Sequence, residues 1–390
     1  MRSAIMRRGL SLTAPSLAAL GAAVVLAGCA SGKAEAEAEA ARLAAAAQAA
    51  ALAARTPPAI SLNEGVARDA AVYLAFARDL ATIRGGFESP EAIQEALRKG
   101  AAYDPGQISR GMVAYASIVA LQSPAFVAGV NQYGVNPTGR RKMVADIIAD
   151  PRVASYMPGA DQAAGLIMAA LDADIDALSA AADSVENDAY AIQADGRRSW
   201  AIAHIADRET RLAMAKSLSS QVMQPSATES ARLFAAANSG AGLGVSGGRP
   251  RQERPYPPVV TNALALAALA ALGAAGEDAG ANTAALQSEP TSQNCLNESK
   301  LNLYQCLAAS RPSYEDMFCV GRHIVRDLAT CARNAALPAA IITVSAPVMA
   351  DPPPPPIAPE PFEPPQRTPV SPTQRLNIET GPPIRTTPGG

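Results

Sequence analysis

The chain has 390 residues, enough for one sizeable core with accessory segments. Its 33 basic and 35 acidic side chains form no basic stripe for phosphates, which argues against nucleic acid as a partner. Only 4% of residues are aromatic and alanine fills much of the 49% hydrophobic fraction, so the chain should be helical, thinly packed, and poor in platforms for stacking sugars or bases.

The first 28 residues read as an export signal. Arg2, Arg7 and Arg8 precede an uncharged Leu/Ala/Val stretch from Leu10 to Val25, which Pro15 and several hydroxyl residues make a poor membrane span. It ends in Leu26-Ala27-Gly28-Cys29. This resembles the lipobox of bacterial lipoproteins, which are cut just before the cysteine. The resemblance implies thioether-linked diacylglycerol on Cys29 and a third acyl chain, such as palmitate, on its new amino group. Two or more chains anchor stably, at about 0.8 kcal/mol per buried CH₂. Ala30 rather than Asp after the cysteine implies, within that family, sorting to the outer membrane, facing the periplasm. An ordinary secretory cut near Ala27 or Ala30 is the alternative, and cysteine parity disfavours it. Five cysteines leave an odd thiol in an oxidising compartment unless Cys29 carries lipid. Loss of Arg2, Arg7 and Arg8 would leave 30 basic against 35 acidic side chains, net −5.

Residues 29–58 carry a Lys-Ala-Glu-Ala-Glu repeat and an alanine run. They read as a semi-rigid helical spacer, ended by Pro57-Pro58, that holds the body off the membrane. Residues 59–238 read as an α-helical body. Ser89-Pro90, Asp104-Pro105, Ser123-Pro124 and Asn136-Pro137 each pair a capping residue with proline at the first helical position. A long helix is expected from Asp161 to about Ala194, another around Trp200, and a short one from Thr228 to Asn238. Residues 239–258 are a Gly/Pro linker, 259–276 an apolar helix better suited to a core than a membrane, and 277–293 a second polar linker. From 337 to 390 the chain is a proline-rich, disordered tail with PxxP-shaped segments Pro361-Phe362-Glu363-Pro364 and Pro369-Val370-Ser371-Pro372.

Residues 294–336 hold Cys295, Cys306, Cys319 and Cys331 around the breaking sequence Arg311-Pro312-Ser313, where Ser313 could cap a second helix with Asp316 three positions on. Eleven and twelve residues of helix separate the members of each pair by ~16.5 and ~18 Å. A disulfide needs Cα atoms within about 6.8 Å, so neither helix can bridge to itself. A short loop makes the helices antiparallel, which selects the nested pairs Cys306–Cys319 and Cys295–Cys331 over crossed ones. The layout resembles the twin-cysteine α-hairpins, with wider spacings here. Zinc would want closer CxxC-type pairs. The hairpin can act as a staple for a poor core or as a rigid binding element.

Candidate chemistry is sparse. His204 with Asp207, and His323 with Asp327, would share a helix face and could offer a base with an orienting carboxylate, though such pairs are common surface contacts. Gly242-Leu243-Gly244-Val245-Ser246-Gly247 matches a dinucleotide fingerprint but follows a helix, so it reads as a loop. Asp172, Asp174, Asp176 and Asp183 mimic a calcium loop that lacks its glycine, and read as a solvated helix face. Trp200 reads as core packing. No catalytic, cofactor or metal site is expected. The expected whole is an all-α bundle plus a disulfide-clipped α-hairpin, with a tether and a disordered proline-rich tail outside the packed body. A non-catalytic envelope adaptor fits best, binding the membrane by its lipid and an envelope protein or peptidoglycan by its tail. A periplasmic hydrolase of envelope polymer, or an accessory subunit of an outer-membrane transport or assembly complex, are the alternatives.

Overall fold

The computed structural model describes residues 24–53, 56–245 and 251–339. The head of the export signal, the Cys29 side chain, Ser246 to Pro250 and the proline-rich tail from Ala340 lie outside the described residues.

The described chain is all α-helical, with no strands among the described residues and only two isolated bridges, Leu62 to Ala275 and His204 to Pro312. Helix α1 (Val24–Ala53) carries the alanine–glutamate repeat, and every side chain described on it is exposed. Alanine and glutamate are strong helix formers, so propensity sustains this segment without a packed face. Next come α2 (Glu64–Leu80), α3 (Pro90–Ala101), α4 (Pro105–Leu121), α5 (Pro124–Gly134) and α6 (Pro137–Ala149). The side chains of Ser89, Asp104, Ser123 and Asn136 accept the backbone N–H groups of Ala92, Gln107, Phe126 and both Thr138 and Gly139. Each cap satisfies a donor that the first helical turn leaves unpaired, and proline follows where its missing N–H costs nothing.

A 3₁₀ turn (Pro151–Tyr156) leads into the 32-residue α7 (Ala160–Ala191). The helix expected around Trp200 is instead a 3₁₀ segment (Gly196–Ile202), broken at Arg198 by non-helical angles. There the Arg198 guanidinium reaches both Asp188 and Asp195. Then follow α8 (Arg208–Leu218), α9 (Ala227–Ser239), α10 (Pro258–Ala271), α11 (Gly280–Gln287), α12 (Pro290–Ala309) and α13 (Ser313–Val320). A π-helical segment (Gly321–Arg326) and α14 (Asp327–Ala336) complete the run.

Helix α10 is the centre of the core. Val259, Val260 and every residue from Ala263 to Leu272 are buried, which is why its sequence is apolar on all sides. It packs against α4 and the 3₁₀ turn after α6. Small residues set the spacing of the layers. A Cβ on Gly111 would collide with the Asp69 carbonyl, so α4 lies directly on the α2 backbone. Short alanine side chains need this close approach, because they reach too little to fill a wider gap.

Residues 277–293, expected as a linker, are folded. They form a 3₁₀ turn, α11 and the start of α12, with Thr283, Gln287, Glu289 and Ser292 buried. Their polar groups bond inward rather than to water. Asn63 Nδ2 donates to Thr283 Oγ1 at 3.0 Å, and Gln287 Nε2 donates to Asp69 Oδ2 at 2.9 Å. The hairpin is likewise no separate module, since residues through Ala339 form a single unit. Helices α13 and α14 pack on α7, and α12 packs on α4 and α8. The acidic face of α7 is not a merely solvated one either. Asp172 and Asp176 pair with Arg333, and Asp183 and Glu186 pair with Arg326.

Candidate functional site

Cys295 is bonded to Cys331 and Cys306 to Cys319, with Cα separations of 5.6 and 5.8 Å. The nested pairing ties both ends of the hairpin, so the turn between α12 and α13 is held in place. At that turn the expected capping box is absent. Pro312 occupies the cap position with no side-chain bond, and Glu315 instead receives the Arg311 N–H at 2.7 Å. Asp316, placed by the sequence at the third position of the box, points inward and is fully buried.

Asp316 meets Arg211 of α8 across 2.7 Å, in an ion pair of which neither member is more than 4% exposed. Burial raises the Asp316 carboxyl and lowers the Arg211 guanidinium, while their mutual attraction opposes both effects. Further donors hold the carboxylate: Ser310 Oγ at 2.7 Å and Gln94 Nε2 of α3 at 2.9 Å. Arg211 Nη2 donates to the Leu307 carbonyl and Ser310 Oγ, at 2.7 and 3.0 Å. Its Nε is buried with no hydrogen-bond partner among the described residues. A buried charge pair persists only when its remaining donors and acceptors are met, so this leftover donor is a distinct feature.

Above the pair lies a cleft of about 420 Å³. Pro90, Glu91, Gln94 and Arg98 of α3 form one wall, and Thr210, Arg211 and Met214 of α8 form the other. The segment Ile205 to Asp207 closes one end. That segment is fixed to the hairpin turn: Ile205 N–H donates to the Arg311 carbonyl at 2.8 Å, and Arg208 Nε donates to the Ser310 carbonyl at 2.8 Å. Both bonds tie that end of the cleft to the turn that the Cys306–Cys319 disulfide closes.

The two histidine pairs meet different fates. His204 is exposed in the extended stretch that bridges to Pro312, and it shares no helix face with Asp207. Its expectation assumed a helix that pairing with the hairpin turn replaces. Asp207 does line the cleft, at the head of α8. His323 Nδ1 lies 3.2 Å from Asp327 Oδ2, half-buried in the π segment, whose His323 carbonyl accepts the Ser299 hydroxyl. Among the described residues no hydroxyl or thiol hydrogen-bonds to either side chain of this pair, the Ser299 hydroxyl reaching only the His323 backbone, and the pair lies outside the cleft.

The calcium-like aspartates are spread along helix α7, and no group of three metal-ligating side chains occurs among the described residues. Trp200 is half-buried against the core. Gly242 to Val245 form a loop, and Ser246 and Gly247 lie outside the described residues. Sequence reasoning missed Arg211, Asp316, Gln94 and Ser310. Arg211 and Asp316 are 105 positions apart; no local pattern marks Arg211, and the one at Asp316 points to a helix cap instead of a buried partner. No helix among the described residues is by itself long and apolar enough to cross a membrane. No family model, curated protein or solved structure matches this chain, so the site is read from its own geometry.

Proposed function

We propose that this chain is a lipid-anchored, non-catalytic adaptor of the bacterial cell envelope, set on the outer membrane and facing the periplasm. The observation that carries the reading is the use of the cysteines. Two disulfides take four of the five, leaving Cys29 in Leu26-Ala27-Gly28-Cys29 for lipid. Disulfides of this kind persist in oxidising compartments, which agrees with export. The exposed helix α1 supports a tether between that cysteine and the body. The clipped cleft gives the body a surface on which to receive a partner, and the proline-rich tail offers a second one.

Membrane fractionation of the parent and of Cys29→Ala tests the anchor: the variant should appear in the soluble periplasmic fraction. Retention of the variant in membranes would overturn the anchoring. Cross-linking from intact membranes, with and without residues 351–390, tests whether a partner depends on the tail. The two carboxylates lining the cleft, Glu91 and Asp207, favour a second reading as a hydrolase of envelope polymer. Release of soluble fragments from purified peptidoglycan by the Cys29→Ala protein would establish it.

A further inference from the structure

We propose that a second cleft, between the 3₁₀ turn ahead of α7 and the segment before α10, binds a neutral oligosaccharide stacked on Tyr156. The inference gives the adaptor a glycan partner held by the body. It rests on that reading for its place in the envelope, but its test does not involve the lipid.

The cleft encloses about 790 Å³, within the range of small-ligand sites, about 300–1,000 Å³. One wall runs from Ser155 to Asp161, and Gln252 to Tyr256 form the other. Both walls are fixed. Gly159 lies at φ +80°, and a Cβ there would come within 2.5 Å of the Ala125 carbonyl carbon, so the first wall is pressed onto α5. The Gln252 N–H donates to the Asp161 carbonyl at 3.3 Å, and Arg251 pairs with the Asp161 carboxylate at 3.4 Å. These contacts tie the second wall to the head of α7.

Tyr156 lines this cleft and is 72% exposed, in a chain of which only 4% is aromatic. The Arg254 guanidinium lies over its ring, 4.2 Å from the centroid. A cation on one face steadies the ring, and the exposure of the ring leaves its other face open. An aromatic side chain held outside the core forgoes its burial, and a flat ring beside hydrogen-bonding groups suits the C–H face of a sugar. Tyr256 supplies a second ring, fixed by its hydroxyl, which donates to the Gln252 carbonyl at 3.2 Å.

Charge and hydrogen bonding narrow the ligand class. Asp161 and Glu253 are balanced by Arg251 and Arg254, so no net field favours an anion or a cation. Ser155 is 7% exposed on the first wall, and its hydroxyl has no hydrogen-bond partner among the described residues. Unlike the Tyr73 hydroxyl, it is not sealed from solvent. Carboxylates only accept and a guanidinium only donates, whereas a hydroxyl does both, so a ligand dense in hydroxyls satisfies all of these groups. Proline-rich peptides also dock on aromatic rings, but proline has no N–H to offer the two carboxylates.

Isothermal titration of the full-length Cys29→Ala protein would use chitotriose, maltotriose and acetyl-pentaproline-amide. Saturable binding of at least one trisaccharide is expected, tighter than that of the proline peptide. Tyr156→Ala alters an exposed side chain, so circular dichroism should stay unchanged while sugar binding weakens about tenfold. Tyr156→Phe keeps the ring and should bind within about twofold of the parent. No saturable binding of either sugar, unchanged binding by Tyr156→Ala, or tighter binding of the proline peptide would each overturn the proposal. Membrane release by Cys29→Ala is read separately, so the two readings fail independently.

Discussion

Asp174 of α7 has its Oδ2 buried without a hydrogen-bond partner among the described residues, within electrostatic reach of the buried Tyr73 and Tyr115. Burial raises its pKa to about 6 from 3.8, opposed by Arg78. Because the folded value lies above the unfolded one, this carboxyl's contribution to stability is full below about pH 4 and is lost as pH rises toward 6. Asp174→Asn keeps the shape and removes the titration. It should match the parent at pH 4 and exceed it by roughly 1–3 kcal/mol at pH 7, read as urea midpoints. Equal offsets at the two pH values would assign the effect to packing. The Arg211–Asp316 pair behaves oppositely. Asp316→Ala strands a buried guanidinium and should cost about 3–5 kcal/mol, whereas Arg211→Met with Asp316→Leu should recover much of that loss. Urea unfolding of both variants checks the difference.

Helix starts were legible because a cap acts within three residues of the chain. Ser89, Asp104, Ser123 and Asn136 each do locally what their sequence implies. The capping box at Ser313 and Asp316 failed because a buried arginine 105 residues away claims the aspartate. The polar linker at 277–293 was misread for a similar reason, since Thr283 and Gln287 bond to α2 and its cap rather than to water. The same contrast sets two substitutions apart. Ser123→Ala should lower stability by about 1 kcal/mol, the worth of one cap. Gly111→Ala should cost more, about 1–3 kcal/mol, because the added Cβ must push α4 off the Asp69 carbonyl. Thermal melts in which Ser123→Ala is the worse of the two would contradict the close α2–α4 packing.

In the whole molecule, the hairpin staples the body and holds, through its turn, the segment that closes one end of the cleft. Cys295–Cys331 spans 36 residues and Cys306–Cys319 spans 13. Chain entropy assigns them about 4 and about 3 kcal/mol. Because α12 to α14 pack on α4, α7 and α8, reduction should lower the Tm of one cooperative transition of the described body. A separate low-temperature step in the reduced protein, seen by calorimetry, would instead mark the hairpin as an independent unit. Replacing Cys306 and Cys319 should loosen the cleft more than replacing Cys295 and Cys331, because the first pair lies under the turn that holds Ile205 and Arg208.

By itself the sequence determined the helical class, the cap-and-proline helix starts, the buried apolar helix at the centre, and the nested cysteine pairing. All of these depend on propensity, on periodicity, or on the fixed rise of a helix acting over a few turns. Only the tertiary structure decided that the hairpin joins the body, that Asp316 turns inward to Arg211, that His204 parts from Asp207, and that a cleft opens between α3 and α8. Those outcomes depend on which charges lose water together. That is settled by contacts between residues a hundred positions apart, where no local pattern records it.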